Sequence, residues 1–248
     1  LRMTKDFLLN KNILITGATS GIGKSLTKYL SGHGANILML SKDESKLDVL
    51  YDEIVKKYNT VPCIFKCDLQ KLNEDSAIEI NKIINENYSG IDAVIFNAAA
   101  LDKMSDIESY DLATWEKILK INLTSIFLIA KNLIPMLKES SNPRIIFTTS
   151  SVGKKGKAFW GAYSVSKAGL NALSEIIADE VESVSNIKVF NFDPKATRTK
   201  MRSLAYPAEN PNTIKEPLKL MDYYLWMLSE DSSSTNEIHI EYRSDKFR

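Results

Sequence analysis

Short runs of branched and aromatic residues alternate with helically periodic stretches along the whole chain, and this alternation leaves few architectures open. Asn12 to Thr16, Asn36 to Leu40, Val61 to Cys67, Asp92 to Phe96, Arg144 to Thr149, Lys188 to Phe192 and Ile238 to Tyr242 read as strands. Ile22 to His33, Glu44 to Tyr58, Glu74 to Asn87, Leu112 to Leu137, Ala162 to Ser183 and Leu218 to Leu228 read as the helices between them. Strand–helix–strand order implies right-handed crossovers, so the strands lie mostly parallel with helices on both faces. The expectation is an α/β protein, a single doubly wound domain over residues 3–248 built on a seven-stranded sheet. Lys200 to Pro217 interrupts the alternation with Pro207, Pro211 and Pro217, and irregular loops of that length usually act as substrate lids.

A chain of 248 residues with 44% apolar content can bury one large core. Its 32 basic and 31 acidic residues leave a net charge of +1, which gives no electrostatic reason to expect nucleic acid or an anionic membrane as partner. No apolar run approaches the ~18 residues that span a bilayer. The apolar Phe7-Leu8-Leu9 is followed at once by Asn10-Lys11-Asn12, unlike a signal peptide, so a cytoplasmic location is expected. Leu1-Arg2 ahead of Met3 look like a remnant or an upstream start. Cys63 and Cys67, four apart in a strand, are about 13 Å apart and cannot bridge each other. With two histidines and no cysteine cluster, no metal site is expected.

The first strand runs directly into Thr16-Gly17-Ala18-Thr19-Ser20-Gly21-Ile22-Gly23 and then a helix. Gly17, Gly21 and Gly23, with Thr19, Ser20 and Ile22 between them, let a pyrophosphate approach backbone N–H groups at the positive end of a helix. The turn reads as a dinucleotide site of the Rossmann type, with Gly-x-x-x-Gly-x-Gly spacing instead of the commoner Gly-x-Gly-x-x-Gly. The second strand ends in Ser41-Lys42, with no acid at its tip to accept from a ribose 2′-hydroxyl. Ser41 and Lys42 suit a 2′-phosphate, so NADP is favoured over NAD. Asp43 is the counter-argument, but as an N-cap of the next helix it would be occupied by backbone N–H groups. Asp68 and Leu69 after the third strand could meet adenine, and Asn97, Ala98 and Ala99 after the fourth could line the ribose and the central cleft.

Tyr163 and Lys167 stand at i and i+4, so on a helix they share one face about 6 Å apart. An ammonium there favours phenolate over phenol, and with a bound pyridinium would bring tyrosine down from its ordinary value of about 10. Ser150, at the end of Ile145-Ile146-Phe147-Thr148-Thr149, can hold the same substrate oxygen; Ser151 is its neighbour and rival. The chemistry implied is hydride transfer between nicotinamide and a carbonyl or alcohol.

Together these residues resemble the short-chain dehydrogenase/reductase superfamily over essentially the whole chain. The motifs are Thr16 to Gly23, Asp68-Leu69, Asn97-Ala98-Ala99, Asn122, Ser150, Tyr163-x-x-x-Lys167 and Pro194 to Thr199. Phe147 to Gly153, Trp160 to Tyr163 and Thr197 to Arg202 look like a bacterial oxidoreductase subgroup within it, the YciK type. The resemblance implies a catalytic set of Asn122, Ser150, Tyr163 and Lys167. Tyr163 is its acid/base, Ser150 positions the substrate, Lys167 binds ribose hydroxyls and lowers Tyr163, and Asn122 holds a water behind Lys167. It also implies cofactor contacts from Tyr163, Lys167, Pro194, Thr197 and Thr199, the last at the carboxamide, and assembly into homodimers or homotetramers through the Leu112 to Leu137 and Ala162 to Ser183 helices. Two departures fall in the cleft: Ala99 and Lys195 stand where the family has glycine. At positive φ either would cost roughly 1 kcal/mol and crowd the cofactor, although Lys195 could reach a phosphate. The competing reading is a cofactor-binding sensor or scaffold without turnover. Phe159, Trp160, Met201, Leu204 and Tyr206 suggest a partly apolar substrate pocket, and Lys154-Lys155-Gly156-Lys157 a solvated surface loop.

Overall fold

The structure, a computed structural model, describes residues 7–246. Seven strands form one sheet in the order β3-β2-β1-β4-β5-β6-β7, and every neighbouring pair is parallel. They are β1 Asn12–Thr16, β2 Asn36–Ser41, β3 Cys63–Lys66, β4 Ala93–Phe96, β5 Arg144–Thr148, β6 Lys188–Asp193 and β7 His239–Glu241. The third is shorter than expected because Pro62 has no N–H to give the ladder. Residues 3–6 and 247–248 of the expected domain lie outside the described residues.

Side chains alternate across the strands and fill a core on each face. Ile13, Ile15, Ile37, Met39, Phe190 and Phe192 pack with helices α1 (Gly21–Ser31), α2 (Glu44–Lys57) and α9 (Met221–Leu228). Leu14, Leu38, Val94, Phe96, Ile145 and Phe147 pack on the other face with α3 (Glu74–Asn87), α5 (Ser125–Leu137) and α7 (Gly161–Glu182). Each such side chain, fully buried, contributes about 1.5–3 kcal/mol. Arg144 opens β5 buried among apolar neighbours; its guanidinium donates to the carbonyls of Pro143, Met227 and Ser229 and to Ser233 Oγ, around the C-terminal end of α9. Burial brings it down to about 10.

Three expected elements differ in kind. The long helix is α4 (Leu112–Leu119) and α5 joined by a π-helical turn, Lys120–Thr124, in which Ser125 N–H reaches Lys120 O. The last helix begins as a 3₁₀ turn, Pro217–Leu220. The segment read as irregular carries helix α8 (Lys200–Ala205) and a 3₁₀ turn at Pro211–Thr213. A short α6 (Ser151–Lys154) follows β5, and a 3₁₀ turn, Glu230–Ser234, precedes β7.

The expectation that no apolar stretch is long enough for a bilayer is also corrected. The helical stretch Leu112–Leu137 meets that test by length and composition. Here its apolar side is used against the sheet, with Ile126, Ile129, Leu133 and Leu137 in the second core.

Candidate active site

A cleft of about 940 Å³ runs along the C-terminal ends of β1 to β6. It crosses the point where the strand order reverses between β1 and β4, the place at which open parallel sheets bind ligands. At β1, Gly17 (φ +68°) and Gly21 (φ +50°) take left-handed backbone that favours glycine. A Cβ on Gly23 would fall 2.1 Å from Gly17 O, so that turn closes on itself only without a side chain. Ser20 precedes α1 without a side-chain cap, and no acid stands in the first turn, so the helix keeps its N-terminal N–H groups facing the cleft. This cradle fits a pyrophosphate. Thr16 ties it to the opposite wall, its hydroxyl accepting from Asn97 N and Ala98 N at 3.0 Å each.

Thr19, Ser20, Ile22, Ser41, Lys42, Asp68, Leu69, Asn97, Ala98 and Ala99 all line the cleft. Ser41 and Thr19 share a hydrogen bond of 2.8 Å. Asp43 caps α2, accepting from Lys46 N at 3.2 Å and pairing with the Lys46 ammonium, which leaves Lys42 as the charged side chain at the β2 tip. Asp68 accepts from Gln70 N at 3.0 Å. Cys67 also lines the wall, its thiol pushed up to about 11 by burial and then by Asp68; both cysteines are free.

At the other end, Ser150 lies between β5 and α6 in extended backbone, and Tyr163 and Lys167 lie one turn apart on α7; all three line the cleft. Lys167 Nζ is 5.8 Å from the centre of the Tyr163 ring and donates to Thr148 O at 2.8 Å. Burial brings Lys167 down to about 8. The protein's own groups do not lower Tyr163; the expected lowering included the charge of a bound pyridinium. Burial raises the phenol, the Asp193 carboxylate adds to that, and the hydrogen bond with Ser150 works against both.

Asn122 sits in the π-helical turn, fully buried and behind the cleft wall. It exchanges hydrogen bonds with the Ala100 backbone at 2.7 and 2.9 Å and donates to Ser166 Oγ at 3.1 Å. Ser166 in turn donates to Tyr163 O, so Asn122 braces the turn of α7 that carries both Tyr163 and Lys167.

Of the two positions where glycine was expected, only Lys195 has left-handed backbone, at φ +55°. Its ammonium turns to Asp193 and Glu241 and not to a phosphate site. Pro194 and Thr197 line the wall, Thr197 bonded to Pro194 O. Thr199 lines it too, but its hydroxyl caps α8 by accepting from Arg202 N, and its methyl lies against Gly21. Of the aromatic and apolar residues read as a substrate pocket, Trp160 and Met201 reach the wall and Tyr206 lies tilted against Trp160 with ring centres 6.0 Å apart. Phe159 and Leu204 face solvent. Asp193 also lines the cleft and was not foreseen; its signal was a polar residue ending an apolar strand just before a turn.

A model of the short-chain dehydrogenases matches residues 11–210. The oxidoreductase YciK of Escherichia coli K12 is 32% identical over 228 residues, 92% of this chain and 90% of that one. A short-chain dehydrogenase of Shigella flexneri 2a, solved with NADP, superposes with a TM-score of 0.92 at 31% identity, covering 96% of this chain and 99% of that one. One from E. coli CFT073, solved with NADPH, gives the same TM-score at 30% identity over 96% and 99%. With its motifs gathered along one cleft of a seven-stranded parallel sheet, the chain belongs to the short-chain dehydrogenase family of oxidoreductases.

Proposed function

We propose that the protein transfers hydride between NADP and a small carbonyl or alcohol, with Tyr163 as acid/base. One observation carries this: a single cleft has the uncapped N-terminus of α1 at one end and Ser150, Tyr163 and Lys167 at the other. Nicotinamide, when bound, supplies or accepts the hydride. Ser150 holds the substrate oxygen beside the phenol. Tyr163 gives that oxygen a proton in reduction and takes it back in oxidation. Lys167, fixed by Thr148 O, keeps a positive charge beside the ring at neutral pH and offers its remaining donors to ribose hydroxyls. Trp160, Met201 and Leu101 give the substrate an apolar wall.

The preference for NADP rests on Ser41 and Lys42 at the β2 tip and on Asp43 being held in its cap; the NADP and NADPH bound to similar structures support it. Two copies would pair through α5 and α7, where Phe127, Val165 and Ile176 stand exposed. The segment 200–217 serves as the substrate cap. A cytoplasmic setting suits such a reductase.

The test is a thermal-shift comparison followed by turnover on a carbonyl panel. NADPH should raise Tm more than NADH at equal concentration, and Lys42→Asp should erase the difference. Equal shifts in the parent would remove the basis for NADP. Tyr163→Phe should keep the NADPH shift and lose about 10²–10⁴-fold in turnover; retained turnover would assign the proton to another group.

A further inference from the structure

Strand β6 ends at Asp193, which is 2% exposed yet lies on the cleft wall. Its register partner on β7 is Glu241, so two carboxylates stand side by side at the rim of a parallel sheet. Such neighbours repel unless a cation lies between them. Lys195 is that cation: its Nζ is 3.0 Å from Asp193 Oδ2 and 2.9 Å from Glu241 Oε2, and its backbone N–H donates to Asp193 Oδ1 at 2.8 Å. Glu241 reaches on to Lys154 at 2.5 Å and is held down at about 2 by Lys154 and Lys195. At φ +55° the Lys195 backbone is strained relative to glycine. A glycine would remove that strain, so the lysine stands there at a cost in backbone energy, with its ammonium as the compensating gain.

The gain concerns Tyr163. Asp193 and Tyr163 line the same cleft, and the carboxylate charge there opposes ionisation of the phenol, second to burial. The other groups around Tyr163 are the Ser150 hydroxyl and the Lys167 ammonium. Around Asp193 are Lys195, Glu241 and Lys215; the last donates to Ala196 O over the Tyr242 ring, and burial brings it down to about 8. With Lys215 only partly charged above neutrality, Lys195 is the cation that stays paired with Asp193.

We propose that Lys195 is a positioning residue for Tyr163: it neutralises the buried Asp193 carboxylate, and so keeps the phenol within reach of ionisation. The inference rests on Tyr163 acting as the acid/base. Asp193 and Lys195 form one unit in this account, and removing the lysine alone is worse than removing both charges.

The experiment reads Tyr163 directly and needs no substrate. Protein labelled with ¹³Cζ-tyrosine is saturated with NADP, and the Tyr163 resonance is identified by its loss in Tyr163→Phe. The fraction ionised at pH 10 is then compared among the parent, Lys195→Gly, Asp193→Asn and the double variant. Lys195→Gly relieves backbone strain and so keeps the fold, yet should lower the phenolate-to-phenol ratio about tenfold. Asp193→Asn should raise the ratio, and the double variant should return to the parent value or above. Equal fractions in all four, zero included, overturn the proposal, as does a Lys195→Gly loss that persists in the double variant. Because no turnover is read, absence of carbonyl reduction would sink the proposed function and leave this result standing.

Discussion

Lys167 carries its ammonium into a site where burial alone brings it down to about 8 from an ordinary 10.5. Between those values the unfolded chain holds a proton that the folded protein lacks, so stability rises as pH rises through the interval; below about 8 both states are protonated and the penalty is complete. Burial disfavours the charge, but a charge beside Tyr163 is what the proposed chemistry uses. Lys167→Met should therefore flatten the rise of Tm between pH 8 and about 9.5, below the range where tyrosines of the unfolded chain ionise. The slope lost is at most about 1.4 kcal/mol per pH unit. Scanning calorimetry across that window checks it, and an unchanged slope would mean that Lys167 is better solvated than its 2% exposure implies. The Lys215 contribution, in the same window, should persist.

Among the elements, the β1–α1 turn and the π-helical turn do most to shape the cleft. In the first, Gly23 leaves no room for a methyl: its Cβ would meet Gly17 O at 2.1 Å and Asn97 Nδ2 at 2.7 Å, and the carbonyl cannot swing away as a flexible side chain could. Gly23→Ala should cost about 1–3 kcal/mol in urea unfolding and abolish the NADPH-induced rise in Tm. A variant that keeps both would show that the turn relaxes freely and that its closure is not what positions the helix N-terminus. In the second, one register change in the helix, with Ser125 Oγ taking up the freed Ile121 carbonyl, carries Asn122 to the Ala100 backbone on the β4 side. Arg144 shows the same logic in a strand. A buried cation is tolerable there because four acceptors surround its guanidinium, two of them carbonyls at a helix C-terminus.

Across the whole molecule, two cores fix the sheet from both faces, and the cleft is bordered by chain beyond β6. That chain is held by a two-bonded Arg202–Glu209 pair at 2.6 Å, the Arg198–Glu216 pair and the bond from Arg198 N to Lys215 O. It has no apolar core of its own, since α8 buries none of its residues. Partly or fully exposed ion pairs give it about 1 kcal/mol or less each, so it should open far more easily than the sheet. Hydrogen exchange with and without NADPH should show protection gained over residues 199–206, which include Lys200, Met201, Arg202 and Ala205 on the cleft wall. Identical exchange in both states would make it a fixed rim, and substrate selection would then rest with Trp160 and Ser150.

The sequence by itself determined the parallel doubly wound sheet, because strand and helix periodicity are local properties that survive without knowledge of contacts. It also picked out the β1–α1 glycine turn and Ser150, Tyr163 and Lys167, which share one cleft, because their spacing is legible along one strand–turn–helix unit or one helical turn. Tertiary structure alone decided the rest. The π-helical turn leaves no composition signal, since it differs from α-helix by one hydrogen-bond register with no glycine or proline at the break. The direction in which the protein moves Tyr163 depends on burial and on Asp193, thirty residues away in sequence and brought to α7 by the sheet. Lys195 could be seen as a departure from glycine, but its partner could not, because Glu241 reaches it only through the pairing of β6 with β7, a contact that no local pattern encodes.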